Sequence, residues 1–235
     1  LADENITLGQ VTTTNTSATA VTLTSTEGGI IDGGDTGGAD VITAGGRLLI
    51  DVVTGVGNGG AIETTVASID IDNTTSGNIE ISETNAITVF KILNGAASDS
   101  STGNVVITAD GTITVDSAGG NAIAAAGGAT ITLDANGAES DLLVNDVILT
   151  VGGAITLTAD NDVIFQASGD IASTFEGSAG GAISVRADAD NGGTSSGALT
   201  MADGTVINAA GGTIALFADE NITLGQVTTT NSGTT

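Results

Sequence analysis

Acidic and amide side chains recur along the chain at one fixed place in a repeated pattern. Each follows an alanine and stands three residues beyond the second member of a pair of aliphatic residues. The five positions are Asp110, Asn136, Asp160, Asp188 and Asp219. If successive copies of the pattern stack as parallel strands, these groups form a file along one edge at ~4.8 Å spacing. We call this set the acidic file.

The oxygen atoms of such a file are suited to divalent cations. Stacked carboxylates repel one another unless cations gather or their pKa values rise, and Ca²⁺ is bound in proteins by carboxylate and amide oxygens. The sequence therefore predicts divalent cations, Ca²⁺ above all, along the acidic file and at the nearby Asp162 and Asp190. The alternative is that these Asp and Asn residues only close their own turns.

A second place for Ca²⁺ is the Gly- and Asp-rich segment Gly33–Ile42, which loosely matches the Ca²⁺-binding nonapeptide of RTX proteins. Tandem nonapeptides are missing, so the segment is not an RTX block. One interpretation is a single Ca²⁺ in this loop, and the other is a loop whose Asp side chains close its turns. A calcium-loaded binding module is therefore one alternative function.

Pairs of carboxylates separated by one residue raise the possibility of glycoside chemistry. Alternation in a strand places both members of a pair on one face, ~7 Å apart, a separation that hydrolysis can use. The pairs are Asp70/Asp72, Asp160/Asp162 and Asp188/Asp190. A lyase would also need bases beside carboxylates in one groove, whereas Arg47, Lys91 and Arg186 are expected in three different coils. The chain has no His, Trp or Tyr. The prediction is a non-catalytic protein, with a carbohydrate-active β-helix enzyme as the alternative.

Short strands must position these residues, because the aliphatic pairs alternate with polar residues at period two. The pairs recur on average about every 27 residues, and no helical pattern persists for the ~10–12 residues that a helix needs. The pairs are Val21/Leu23, Leu48/Ile50, Ile79/Ile81, Val105/Ile107, Ile131/Leu133, Ile155/Leu157, Ile183/Val185 and Ile214/Leu216. This pattern predicts an all-β, right-handed parallel β-helix in which neighbouring coils bury each other's aliphatic residues.

The interior and the corners of this β-helix follow from the same alignment. One aliphatic ladder is expected to contain Ile107, Leu133, Leu157, Val185 and Leu216. Glycines two residues before the first core position are expected either to have a positive φ or to pack tightly against their copies in the next coil. These glycines are Gly46, Gly77, Gly103, Gly153, Gly181 and Gly212. Extra residues of the longer coils are expected as loops at Asp32–Asp40, Gly55–Ala61, Ala96–Gly103 and Asp190–Gly197.

A much longer period contains this short one. The fourteen residues Ala2–Asn15 return unchanged as Ala218–Asn231, 216 positions later. The sequence therefore predicts a tandem array with about eight coils per 216-residue repeat, and residues 1–235 are expected to be one continuous solenoid cut from something longer. Both copies of the fourteen residues are expected to have the same conformation, ~38 Å apart along the axis. Each is expected to pair with a neighbouring repeat or subunit.

Charge excludes two classes of partner. The net charge is −25, with only three Lys and Arg residues, and three bases cannot neutralise a track of phosphates. The same charge argues against an anionic membrane surface, and no apolar run approaches the ~18 residues of a membrane helix. The expected partners are cations and further copies of the same repeat.

The motifs Gly-Gly-Ala-Ile-Thr-Leu-Thr-Ala-Asp (152–160) and Gly-Gly-Thr-Ile-Ala-Leu-Phe-Ala-Asp (211–219) resemble the β-helical stalks of filamentous-haemagglutinin-like exoproteins and giant bacterial surface repeat proteins. The resemblance covers the whole chain and implies a long extracellular or cell-surface fibre with a role in adhesion or biofilm matrix. The motifs of a secretion domain and of an adhesive tip are not found in the sequence. The resemblance therefore implies architecture more directly than activity.

Overall fold

The structure is a computed structural model that describes residues 1–34, 38–95, 102–117, 120–174, 180–190 and 197–229. These residues form strands and connecting turns, and no helix that could cross a membrane occurs among them. The expected loops Asp32–Asp40, Ala96–Gly103 and Asp190–Gly197 lie partly outside the described residues. The strands are β1 (Ile6–Leu8), β2 (Val11–Thr13), β3 (Val21–Thr24), β4 (Ile30–Asp32), β5 (Val41–Thr43), β6 (Arg47–Val52), β7 (Ile62–Thr65), β8 (Ser68–Asn73), β9 (Gly77–Glu83), β10 (Ile87–Asn94), β11 (Thr102–Ala109), β12 (Ile113–Val115), β13 (Asn121–Ala125), β14 (Ile131–Ala135), β15 (Leu142–Val144), β16 (Val147–Thr150), β17 (Ile155–Ala159), β18 (Val163–Phe165), β19 (Ile171–Ser173), β20 (Ile183–Arg186), β21 (Leu199–Met201), β22 (Val206–Asn208), β23 (Ile214–Phe217), β24 (Ile222–Thr223) and β25 (Gln226–Thr228).

These strands pair in parallel. All but two of them form two walls around one apolar interior, and β1 and β4 pair as a separate two-strand sheet. The nine-strand wall has the order β2-β5-β7-β9-β11-β14-β17-β20-β23, and the fourteen-strand wall holds β3, β6, β8, β10 and the remaining short strands from β12 to β25. The chain alternates between the two walls, so each pass stacks on the preceding one. The fold is all-β and solenoid-like, as the period-two pattern predicts.

Aliphatic ladders fill the interior. Leu133 is paired with Ile107 on one side and with Leu157 on the other, and Leu157 is paired with Val185. These four residues are at most 1% exposed, and Leu216 continues the ladder from Val185. The predicted ladder is confirmed, and it explains how coils with few aromatic residues exclude water.

Glycines at one corner allow successive passes to approach closely. A Cβ added at Gly103 would lie 2.0 Å from the carbonyl carbon of Gly77, and a Cβ added at Gly181 would lie 2.2 Å from the carbonyl oxygen of Gly153. Contacts this short are not possible for a side-chain carbon, so each glycine packs against its copy in the pass below. The predicted stacking is confirmed for Gly103, Gly181 and Gly212, whereas an added Cβ at Gly46, Gly77 or Gly153 would meet Ala20, Thr54 or Ala129.

The predicted series of aliphatic pairs crosses from one wall to the other. Val21 pairs with Leu48 in the fourteen-strand wall, whereas Ile79 pairs with Val105 in the nine-strand wall. The eight aliphatic pairs therefore do not form a single stack. The first two pairs belong to the fourteen-strand wall, whereas the series from Ile79 onward belongs to the nine-strand wall. The physical reason is that strands of both walls face the same interior, so both carry the same alternation.

Each wall is divided in one part of the stack and undivided in the other. The nine-strand side begins with two short strands in each pass, β1 with β2 and then β4 with β5, and has a single strand from β9 onward. The fourteen-strand wall begins with the single strands β3, β6, β8 and β10, and beyond β10 it has two columns that start with β12 and β13. The division into two columns of short strands thus moves from one wall to the other, and it does so at the pass that contains the long strands β9 and β10.

This exchange places the two copies of the long repeat on different walls. Val11 pairs with Val41 in the nine-strand wall, whereas its counterpart Val227 pairs with Ile207 in the fourteen-strand wall. Both copies form short strands at nearly equivalent residues, β2 and β25. The expectation that they lie a whole number of coils apart is wrong, because the divided wall has changed sides between them.

Candidate cation site

Three carboxylates from three segments of the chain converge at one edge of the nine-strand wall. They belong to Asp32, Asp40 and Glu63, and each offers an oxygen that lies within 4.8 Å of an oxygen from the other two. Within the described ranges, no other set of three or more acidic side chains has this spacing. We call it the carboxylate cluster.

Strand register brings the cluster together. Asp32 ends β4, Asp40 directly precedes β5, and Glu63 lies in β7. Because β5 and β7 are neighbours, Glu63 stands one pass after Asp40, and its backbone N–H donates to Oδ2 of Asp40 at 3.3 Å. Asp32 lies against Gly60, where an added Cβ would be 2.6 Å from Asp32 Oδ2. The missing side chain at Gly60 therefore leaves room for the Asp32 carboxylate.

Asp40 is the least accessible member of the cluster. It is 0% exposed, and its Oδ1 has no hydrogen-bond partner in the described structure. Burial is the main reason that the pKa of Asp40 is raised to about 6, and repulsion by Glu63 and Asp32 adds to it. A buried carboxylate with an unpartnered oxygen and two like charges beside it is unfavourable, and a bound cation would relieve it.

The sequence points to part of this cluster. Asp40 lies in the segment Gly33–Ile42, for which one interpretation is a Ca²⁺ loop, and Asp32 is its immediate neighbour in the chain. Residues 35–37 of that segment lie outside the described residues. Sequence reasoning missed Glu63. The alternation around β7 predicts that the Glu63 side chain points outward, but it does not predict which residue of the previous pass lies beside it.

Three members of the acidic file stack as predicted. The backbone N–H of Asn136 donates to the carbonyl of Ala109, and that of Asp160 donates to the carbonyl of Ala135. In a parallel ladder these bonds place Asp160 over Asn136 and Asn136 over Asp110. Oδ2 of Asp160 also accepts the backbone N–H of Gly137 at 2.6 Å, as expected for a carboxylate that stabilises a turn.

Asp188 leaves the file. The backbone N–H of Ala189 donates to the carbonyl of Ala159, so Ala189 lies over Asp160 and Asp188 is an additional residue in the turn. Asp188 has a φ of 55°, is 6% exposed, and its Oδ1 has no hydrogen-bond partner in the part of the chain that the structure describes. The prediction that Asp188 continues the stack is therefore wrong, because one extra left-handed residue shifts the register at this corner.

The other predicted cation ligands are spread along the same edge. Asp162 accepts the backbone N–H of Ala198 at 2.8 Å, while Asp190 and Asp219 are exposed. The carboxylates of the file do not converge in the manner of the carboxylate cluster. Cation binding along the file stays a prediction, and the cluster is the stronger candidate site.

Two of the three bases meet the carboxylate pair of β8. Lys91 Nζ lies 3.5 Å from Asp70 Oδ1 and 3.2 Å from Asp72 Oδ2, and Arg47 Nη1 lies 3.9 Å from Asp70 Oδ2. The guanidinium carbon of Arg47 is 3.6 Å from the ring centroid of Phe90, a cation–π arrangement. The three bases lie in three different coils as expected, on β6, β10 and β20. Two of them nevertheless share Asp70, because stacked coils bring side chains from neighbouring passes into contact.

The ionisation of this ion-pair group does not suit a catalytic base. Burial lowers the pKa of Lys91, but the carboxylates of Asp72 and Asp70 outweigh burial and hold that pKa above its ordinary value. An ammonium held protonated cannot abstract a proton at neutral pH. The ion pairs instead link three neighbouring strands, β6, β8 and β10.

One further acidic group is buried in the nine-strand wall. Glu83 is 2% exposed, and its Oε2 accepts hydrogen bonds from Thr64 Oγ1 at 2.8 Å and from the Val66 backbone N–H at 3.1 Å. Burial raises the pKa of Glu83 to about 7 despite these bonds.

No protein-family model, curated protein or solved structure matches the chain.

Proposed function

We propose that the chain is a structural segment of an extracellular or cell-surface fibre, without catalytic activity, that stacks end to end with further copies of its own repeat. Its role in that fibre is to hold length and stiffness in adhesion or in a biofilm matrix. The observation that carries the proposal is the unequal exposure of two identical segments within one chain.

Leu8 and Leu224 are the same residue of the long repeat. Leu8 is followed by another pass of the chain and is 4% exposed, whereas Leu224 lies in the last described pass and is 52% exposed. Ile222 and Val227, in the same pass, are 42% and 37% exposed. The sequence of this pass is thus suited to being covered. The burial of Leu8 in the first copy supports another copy of the repeat as the occupant.

The right-handed winding belongs to this proposal. Parallel strands joined by crossover connections within one sheet are right-handed in about 98% of cases, because the twist of the strands favours that hand. Repeated passes between the two parallel walls have this connectivity. A right-handed β-solenoid with two faces is therefore the arrangement that we adopt.

The chemistry of the surface and the resemblance of residues 152–160 and 211–219 to fibre stalks support an extracellular setting. A net charge of −25 keeps such a fibre soluble and discourages side-by-side aggregation of its sheets. Edges of parallel sheets would otherwise be ready templates for pairing with other proteins. Repulsion between copies is in turn reduced by cations, which are the second class of partner.

A carbohydrate-active enzyme is the second candidate, favoured by the ion-pair group of Arg47, Lys91, Asp70 and Asp72. The carboxylates of that group are neutralised by the two bases. A neighbouring groove is lined mainly by apolar side chains, with Asp72 as its acidic residue. A sugar site needs two carboxylates across the scissile bond, so the geometry supports the structural role better.

The proposal is tested by placing the same substitution at the two equivalent leucines. In the chain of residues 1–235, Leu8→Asp should lower the free energy of unfolding by several kcal/mol, because it buries a carboxylate, and Leu224→Asp should lower it by less than about 1 kcal/mol. In a longer chain, residues 1–216 precede a second copy of residues 1–235. Leu8 of that second copy occupies the position that Leu224 has in the single chain, and we expect it to be covered. Substituting it by Asp should therefore be as damaging as Leu8→Asp in the single chain.

Urea unfolding followed by circular dichroism measures the free energy of unfolding of each variant and of its parent chain. Thr229→Asp, at an exposed position two residues after Val227, is the matched control for added charge. If the substitution at the junction of the two-copy chain proves as mild as in the single copy, consecutive repeats do not stack and the fibre proposal fails. Depolymerisation assays on acidic and neutral polysaccharides examine the second candidate, and turnover abolished by Lys91→Met would favour the enzyme.

A further inference from the structure

We propose that Asp32, Asp40 and Glu63 bind one calcium ion, which ties the end of β4 and the residue before β5 to strand β7 of the following pass. The site lies within one repeat, so it does not depend on the stacking of copies. It differs from the acidic file in residues, in position and in the number of ions.

The spacing of the oxygens suits one shared ion. Ca²⁺ binds oxygen at about 2.3–2.6 Å, so two ligands on opposite sides of an ion are about 4.6–5.2 Å apart and all others are closer. One oxygen from each of Asp32, Asp40 and Glu63 lies within 4.8 Å of the other two. All three can therefore contact one ion with little movement.

Burial gives the second and independent reason. Asp40 is 0% exposed, and Oδ1 of Asp40 accepts no hydrogen bond in the described structure. Buried carboxylate oxygens without a partner are rare, because desolvation is then uncompensated. A cation at the cluster supplies the missing partner and offsets the repulsion among three carboxylates.

The charges of the protein itself do not supply that partner. The ion pairs described join Arg47 and Lys91 to Asp70 and Asp72, in the fourteen-strand wall. The remaining base, Arg186, lies in β20, whereas the cluster lies between β4 and β7. A cation from solution is the available counter-charge.

The ligand set selects calcium among the common cations. The chain contains no His or Cys, so the nitrogen and sulfur ligands that favour zinc or copper are missing. Mg²⁺ requires near-octahedral geometry at about 2.0–2.1 Å and gives up its water reluctantly. Ca²⁺ tolerates irregular sets of six to eight oxygens, which three carboxylates from separate segments and bound water can form.

The test is direct binding of CaCl₂ to the chelator-treated chain, measured by equilibrium dialysis with ⁴⁵Ca²⁺ in 150 mM NaCl. One saturable ion per chain is expected at submillimolar Ca²⁺, and a tenfold excess of Mg²⁺ should not displace it. Glu63→Gln and Asp40→Asn should each weaken binding at least 10-fold. Both variants keep the shape of the side chain and remove one of three repelling charges, so they are expected to fold, as far-UV circular dichroism will show.

Asp160→Asn, in the acidic file, is the matched control and should leave the saturable site unchanged. A Tm that rises with CaCl₂ in the wild type and in Asp160→Asn, but not in Glu63→Gln, would support the proposal. Two results would overturn it: the lack of a saturable site up to millimolar Ca²⁺, or a site that survives Glu63→Gln and is lost in Asp160→Asn. If Asp40→Asn does not fold, Asp32→Asn, at a partly buried position, takes its place.

Discussion

The side-chain amide of Asn73 donates a hydrogen bond of 2.6 Å to the side-chain oxygen of Asn94 in the next pass, and both residues are buried. Asn94 in turn donates to the carbonyl of Gly103 at 2.6 Å, and Oδ1 of Asn73 accepts the backbone N–H of Gly55. The two asparagines therefore satisfy polar backbone groups of the glycine corner.

Asn94→Ala should destabilise the chain by about 1–3 kcal/mol. It removes the side-chain donor to the carbonyl of Gly103 and one hydrogen bond of the Asn73 amide, which keeps its bonds to the carbonyls of Ser76 and Gly77. The measurement is urea unfolding of the purified variant. The exposed Asn78, whose Oδ1 accepts the backbone N–H of Asn104, is the matched control, and Asn78→Ala should cost no more than about 1 kcal/mol. Equal losses in the two variants would contradict a special role for burial.

Leu157→Asp tests the inward direction of the nine-strand wall. Leu157 is 0% exposed and stacks between Leu133 and Val185, so the substitution should lower the free energy of unfolding by several kcal/mol. Thr156→Asp, one residue away on the outward face, should change it by about 0.5 kcal/mol or less. An unchanged Tm for Leu157→Asp would place the alternation one residue out of register.

Glu83 should make stability depend on pH. Its pKa in the folded chain is about 7 against 4.5 for the unfolded group, with burial as the main cause, so the folded chain holds the proton more tightly. The stabilising contribution is complete below about pH 4.5 and is lost as pH rises to about 7, which corresponds to roughly 3 kcal/mol. Glu83→Gln should therefore become progressively more stable than the wild type between pH 5 and pH 8.

The measurement is urea unfolding of both proteins at several pH values and constant ionic strength. The difference between them isolates Glu83 from the general repulsion of an acidic chain. Glu139→Gln, at an exposed turn, is the matched control for the loss of one negative charge. A Glu83→Gln difference that does not change across this range would show that Glu83 ionises in the fold as it does in the unfolded chain.

Much of the fold can be predicted from the sequence, because alternation and glycine spacing are local signals. The ladder through Leu133 and Leu157 and the stacking of Gly103 on Gly77 follow from them. The assignment of pairs to walls does not follow, since Leu48 and Ile79 have equivalent surroundings in sequence but belong to different walls. The two walls are distinguished only by which strands pair.

The candidate site shows the same limit. Asp40 is noticeable in a Gly- and Asp-rich segment, but Glu63 joins it only because β7 pairs with β5. Asp188 follows alanine as do the other members of the acidic file, yet a single left-handed residue removes it from the stack. Contacts between passes depend on register, and a register shift of one residue leaves the sequence pattern unchanged.

The division of one wall and then of the other has a consequence for the symmetry of the fibre. From β2 to β23 the chain makes eight steps along the nine-strand wall, and the second copy of the repeat then begins on the opposite wall. One period of the array is therefore about eight and a half turns, with a rise of about 41 Å at ~4.8 Å per turn. In the proposed fibre, consecutive repeats would therefore be related by an approximate twofold screw axis. Each surface feature, the carboxylate cluster included, would then emerge on alternate sides of the fibre and return to the same side about every 80 Å.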